Sequence, residues 1–288
     1  MSTQNSPNSR NIPLPIAREV RQRCGFGCVI CGFPLYEYDH IIGWAKVHRH
    51  DVAEIALLCD QHHREKTSGL LPLEIVIDAN NNPFNHRTGV TKPYDLHYTG
   101  KECQAIIGGN LFTTEDQGYG TVQVPLCVDE TPLIGFIMAD GHLLLNLNLF
   151  DEFNNLILQI KNNQLWYSIR PWDIHLVGRN LTIREASRKI LIDLTFEVPN
   201  KILVNRGRFL RNGVEIIIMP DHLLITNSKT LLSGTTVHNV PYGLVIGSIP
   251  SKAGCCLHLE KVSRYLGDNS EALRWARENF EKFQLPEA

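Results

Sequence analysis

Cys28-Val29-Ile30-Cys31, Asp39-His40 and Cys59-Asp60-Gln61-His62-His63 are the stretches on which the reading of this chain turns. Each outer pair of ligand-type residues brackets two others. At that spacing a tight turn points both side chains at one small ion, and two such pairs complete a tetrahedron. Soft sulfur and imidazole donors suit Zn²⁺. Cys28, Cys31, Cys59 and His62 are therefore expected to form a structural zinc site. Asp39, His40 and His63 are left over, and one carboxylate with two imidazoles is a set that a metal-dependent hydrolase can use. His48 and His50, lying between the motifs, read as loop residues rather than ligands, and Cys24 as a buried or spare thiol.

The combined pattern is more specific than any of its parts. Residues 13–70, with Cys28-x-x-Cys31, Glu37-x-Asp39-His40-Ile41, Leu58-Cys59 and His62-His63-x-x-Lys66-Thr67, resemble an HNH (ββα-metal) endonuclease over about a fifth of the chain. The resemblance implies a zinc-stapled hairpin and helix that hold a catalytic cation, Mg²⁺ or Mn²⁺, against a scissile phosphate. By position it makes His40 the general base and Asp39 and His63 the ligands of that cation. A neutral imidazole can take a proton from water near neutral pH, which suits the role given to His40. The sequence departs from the family at Glu54, in Glu54-Ile55-Ala56-Leu57-Leu58-Cys59, where the family usually has Asn. That Asn orients the loop bearing the base. Glu lacks the amide donor but could serve as an extra cation ligand at the catalytic centre.

Net charge is −2, so overall charge gives no support for nucleic-acid binding. DNA-facing charge must be local. Arg21 and Arg23 on one short helical stretch, with Arg64 and Lys66 flanking the last His, are the expected phosphate contacts, and Arg18 lies on the same stretch. No run of eighteen apolar residues is present, which argues against a transmembrane helix. Eight cysteines at metal-like spacing, with no apolar segment near the start, point to a reducing, cytoplasmic setting rather than to disulfides. Cys103, Cys127, Cys255 and Cys256 read as structural thiols.

Outward from the motifs, an α+β protein is expected. Residues 1–12 read as a disordered tail and 13–77 as the zinc-stapled HNH module, opening with a short helix over 13–23. The Asn-, Pro- and Gly-bearing stretch 78–101 reads as a linker or arm. Residues 102–256 read as a mostly antiparallel β domain, a sandwich or roll. Leu145, Leu147 and Leu149 alternate there with Asn146 and Asn148, and Ile192, Leu194, Phe196 and Val198 with Asp193, Thr195 and Glu197. Asp140-Gly141, Asn154-Asn155, Asn162-Asn163 and Asn212-Gly213 mark turns. Trp166, Tyr167 and Trp172 read as core rather than a base-stacking platform. Residues 257–288 are expected to be helical, with Leu273, Trp275, Ala276 and Phe280 at helical spacing.

The function expected from the resemblance is DNA phosphodiester hydrolysis, with RNA as an alternative substrate and the β domain selecting or gating the target. Small HNH modules joined to a recognition domain resemble bacterial defence, mobile-element and phage nucleases, by analogy alone. Two other readings compete. One is a zinc-stabilised nucleic-acid-binding protein whose nuclease centre has decayed. The other is an assembly protein that forms homo-oligomers through the β domain.

Overall fold

The sequence around the zinc motif folds as its residue types dictate. Pro15 sits in the first turn of α1 (Leu14–Arg23), where its missing N–H costs nothing. Ala17 and Val20 bury one face of that helix. β1 (Glu37–His40) pairs antiparallel with β2 (Ile55–Leu58), placing Asp39 opposite Ala56 and His40 opposite Ile55. All four residues of β2 are buried, as its unbroken apolar run requires. Between the strands lie a one-turn helix, α2 (Trp44–Val47), and a 3₁₀ turn over Val52–Glu54. α3 (Asp60–Thr67) follows β2 at once, with Cys59 at its N-cap.

This computed structural model describes residues 10–118, 120–250 and 254–265. It divides into two units, Met1–Tyr94 with Trp166–Leu176, and Asp95–Leu165 with Val177–Ala288. The first unit is larger than the sequence suggests. Residues 78–101, expected as a linker or arm, carry the end of α4 (Leu73–Asn81) and the whole of α5 (Phe84–Thr88). Their asparagines are structural: Asn80 donates to the Ala53 carbonyl (3.1 Å) and Asn85 to the Gly25 carbonyl (2.8 Å). Asn runs read as turns when they face water, but these amides satisfy backbone carbonyls inside the unit. The unit therefore runs to Tyr94 instead of ending at 77, and Asp95 onward belongs to the second unit.

Trp166–Leu176 completes the first unit after the whole of Asp95–Leu165 has intervened in the chain. Tyr167, buried as expected, donates its hydroxyl to the Phe26 carbonyl (3.0 Å). Asp173, fully buried, takes two hydrogen bonds of 2.8 Å from Arg21. Gln22 donates to the Trp172 carbonyl, and the Arg18 guanidinium lies 4.4 Å over the Trp172 ring.

The second unit is built of strands. One of its sheets contains, in order, Cys255–Leu259, Tyr242–Ile246, Thr121–Val128, Thr131–Ala139, His142–Phe150 and Leu156–Lys161. The other contains Asn180–Ala186, Lys189–Glu197, Lys201–Arg211, Val214–Ile218, Leu223–Ile225 and Thr230–Leu232. Most neighbours are antiparallel, but the architecture is mixed. Tyr242–Ile246 runs parallel to both its partners, and Lys201–Arg211 parallel to Glu102–Ile107.

The alternations hold where strands persist. Leu145, Leu147 and Leu149 are buried, as are Ile192, Leu194 and Phe196. Val198 breaks the pattern at 46% exposure, because its strand ends at Glu197. Asp140-Gly141, Asn162-Asn163 and Asn212-Gly213 each place two consecutive residues at positive φ, as two-residue hairpin turns need. Residues 255–259 form a strand, where the helical expectation for 257–288 had begun; residues 1–9 and 266–288, with the expected tail and Leu273, Trp275, Ala276 and Phe280, lie outside the described residues.

Candidate metal centre and adjoining carboxylate and histidine cluster

The Cys28–Gly32 turn is closed by Gly32 N–H donating to the Cys28 carbonyl (2.8 Å) and tied to β2 by Val29 N–H on the Leu57 carbonyl (2.9 Å). Gly32 has φ +75°, and a Cβ there would come within 2.3 Å of the Asn85 amide oxygen, so α5 packs against the knuckle only because this residue is glycine. From the other side, Cys59 caps α3 and His62 stands on its first turn.

Cys28, Cys31, Cys59 and His62 thereby converge, all four ligand atoms lying within 4.8 Å of one another. Cys31 and Cys59 sulfurs are 3.8 Å apart, and His62 Nδ1 is 3.4 Å from the Cys28 sulfur and 3.1 Å from that of Cys59. A tetrahedron with metal–sulfur bonds of about 2.3 Å has S···S edges of about 3.8 Å and S···N edges of about 3.6 Å. The cluster could hold a metal ion and is compatible with structural zinc. Among the described residues it is the one such group of three or more His, Cys, Asp or Glu side chains. The thiols' crowding is felt chemically: donating a hydrogen bond to Cys31, with burial, pushes the Cys28 thiol up, and accepting that bond pulls Cys31 down.

A second cluster lies beside the first, on β1 and α3. Glu37 and Asp39 are two residues apart on β1 and so share a face. His63, next to the ligand His62 on α3, reaches both: its Nδ1 is 3.1 Å from Glu37 Oε2 and its Nε2 3.5 Å from Asp39 Oδ1. An ionised carboxylate only accepts, so a protonated ring nitrogen of His63 can donate to the carboxylate it faces, Glu37 at Nδ1 and Asp39 at Nε2. Metal-binding imidazoles commonly carry such a carboxylate on their other nitrogen. Asp39 and His63 thus lie side by side, with Glu37 against the other nitrogen of the imidazole. Glu37 lies in the motif Glu37-x-Asp39-His40, and its two-residue spacing from Asp39 is the sequence signal that places it on the same face.

His40 points elsewhere. Its Nε2 lies 3.1 Å from His50 Nδ1. Burial, and then the neighbouring His50, hold the His40 imidazole below its ordinary pKa, with Asp39 opposing. His50 lies in the loop, as expected, and its ring meets that of His40. No local signal marked it, because the intervening loop alone brings it back. His48 stays apart from both clusters, its ring edge-on to Trp44 (5.7 Å).

Several expected roles move. Arg21 is 3% exposed, and its guanidinium is spent on Asp173 and the Tyr38 hydroxyl (2.7 Å); it is a core ion-pair partner, not a phosphate contact. Arg23 donates to the Asn80 carbonyl (3.0 Å), the Asn80 side chain (2.9 Å) and the Ile55 carbonyl, which locks β2 to α4 instead of facing nucleic acid. Lys66 is turned inward, its ammonium 2.5 Å from Asp39 Oδ2 and 3.1 Å from the His40 carbonyl. Glu54, expected at the catalytic centre, forms a two-pronged pair with Arg49. Of the expected phosphate contacts, Arg64 is exposed and lines an open cleft of about 430 Å³ with Glu37, Asp60, His63, Thr67 and Ser68.

No family model, curated protein or solved structure matches this chain. No helix among the described residues is long and apolar enough to cross a membrane.

Proposed function

We propose that this chain is a metal-dependent endonuclease of HNH type, hydrolysing DNA phosphodiester bonds in the cleft beside His63. The observation that carries the reading is the alignment of Glu37, His63 and Asp39, which places an imidazole nitrogen and a carboxylate oxygen 3.5 Å apart on one side of the cleft. Ligands of one small cation at about 2.1 Å can be neighbours at such a separation. A Mg²⁺ or Mn²⁺ bound there would supply positive charge for the phosphate oxygens as negative charge builds on them.

The chain's own residues supply the rest. His40, buried and neutral, accepts a proton from the attacking water through whichever ring nitrogen is not engaged by His50. Arg64, on the rim, meets the phosphate backbone. Zn²⁺ in the Cys28, Cys31, Cys59 and His62 cluster fixes the start of α3, and so fixes where His63 stands. The β-rich unit then selects or gates the target.

The test is a plasmid-nicking assay with Mg²⁺ or Mn²⁺ on the zinc-loaded chain. Wild type should cut. His40→Ala should lose about 10²- to 10⁴-fold in rate while keeping zinc content and DNA affinity. Cleavage by His40→Ala at the wild-type rate, in protein free of contaminating nuclease, would remove the mechanism. A second reading draws on the Lys66–Asp39 pair, since an ammonium at the carboxylate supplies the compensating charge without a cation. It describes a zinc-stabilised nucleic-acid-binding protein whose catalytic centre has decayed, and it predicts DNA binding with no cleavage in either metal.

A further inference from the structure

Glu54 stands where the family places the residue that steadies the base, and here it is occupied with Arg49. The ring of His40 is held by a different device. The His50 ring stacks on Trp44, with centroids 4.8 Å apart and planes 21° from parallel, and Trp44 also packs against His40 at 5.0 Å. Trp44 opens the one-turn helix that ends at His48, whose positive φ of 47° turns the chain back so that its ring meets the Trp44 edge. The indole thus forms a wall, and His50 lies along it with Nδ1 facing His40 Nε2 at 3.1 Å.

One of these two nitrogens must donate and the other accept. If His50 donated, His40 Nε2 would be consumed as acceptor and its Nδ1 would carry the remaining proton, leaving a neutral ring with no lone pair for water. If His40 donates from Nε2–H, its Nδ1 lone pair is free. We propose that His50 is a positioning residue that accepts from His40 Nε2–H and so fixes the tautomer in which His40 Nδ1 is the proton acceptor. His50 touches no reacting atom; it sets which nitrogen of His40 is basic and which way that nitrogen points. The choice of tautomer and its rate consequence rest on the nuclease reading, whereas the 3.1 Å contact and the Trp44 stack do not.

Three substitutions separate the acceptor from the stacking. His50→Phe keeps a ring against Trp44 and removes the acceptor. His50→Asn loses the ring but sets an amide oxygen near the place of Nδ1. His50→Ala removes both. In the zinc-loaded full chain with Mg²⁺, His50→Phe and His50→Ala should lower kcat by about 10- to 100-fold, the usual effect of losing such an orienting partner. KM for an oligonucleotide duplex and zinc content should stay unchanged, and His50→Asn should recover most of the rate. Long-range ¹H–¹⁵N spectra of histidine-labelled protein, with the His40 ring assigned from a His40→Gln sample, should show it as the Nε2–H form in wild type and as a mixture in His50→Phe. A wild-type rate for His50→Phe, no recovery in His50→Asn, or an Nδ1–H ring in wild type would each overturn the proposal. If the wild-type chain cuts nothing, the nuclease reading falls, and the spectra still decide whether His50 holds His40.

Discussion

Removing the Asp173 carboxylate should unfold the first unit far more readily than its distance in sequence from the zinc motif suggests. Arg21 and Asp173 are 3% and 0% exposed and joined by two parallel hydrogen bonds of 2.8 Å, the forked geometry that guanidinium and carboxylate share. Asp173→Ala leaves a guanidinium inside the unit, bonded to the Tyr38 hydroxyl 2.7 Å away and to no carboxylate in Asp173's place. Breaking a buried pair from one side costs about 3–5 kcal/mol, because the surviving charge has lost both water and partner. With a urea m-value of about 2 kcal/mol/M, that lowers the midpoint by about 2 M. Urea unfolding should be followed by tryptophan fluorescence, to which Trp172 contributes, and in parallel by zinc release, which reports on the Cys28 cluster. Arg21→Met should destabilise less than Asp173→Ala, since Asp173 keeps its 3.4 Å ion pair with the half-buried Arg18. The double variant Arg21→Met with Asp173→Leu should recover much of the loss, because an apolar pair of similar size removes the stranded charge. A midpoint drop below about 0.5 M for Asp173→Ala, or a double variant no more stable than either single one, would refute the reasoning.

Three further outcomes follow from the packing. The purified chain should bind about one tightly held Zn²⁺, as a closed four-ligand site does, and Cys28→Ser or Cys59→Ser should lose both the metal and the order of the first unit; metal analysis and circular dichroism check this. Glu54→Ala should leave the preference between Mg²⁺ and Mn²⁺ unchanged, because its carboxylate is paired with Arg49; a switched preference in the nicking assay would return Glu54 to the centre. Limited proteolysis under native conditions should spare residues 78–94, where Asn80 and Asn85 are buried, and rapid cutting there would show that α4 and α5 are not built into the unit as described.

The metal cluster was legible in the sequence because its spacing is local. Two residues between ligands define a turn whichever fold surrounds it, and Cys28, Cys31, Cys59 and His62 converge as that spacing requires. The paired Leu and Asn alternation of residues 145–149 was legible for the same reason, since a strand's two faces are written in a period of two. What the sequence could not reveal depends on partners far along the chain. Arg21 reads as a surface cation until Asp173 arrives from 152 residues away, and Asn80 and Asn85 read as turn residues until their amides find the Ala53 and Gly25 carbonyls. His50 becomes the neighbour of His40 only because the loop through Trp44 folds back and stacks it there. A residue's type fixes which bonds it is able to make. Which of them it does make depends on what the folded chain brings within about 3 Å, and for a buried charge or an imidazole that proximity decides both its energy and its chemistry.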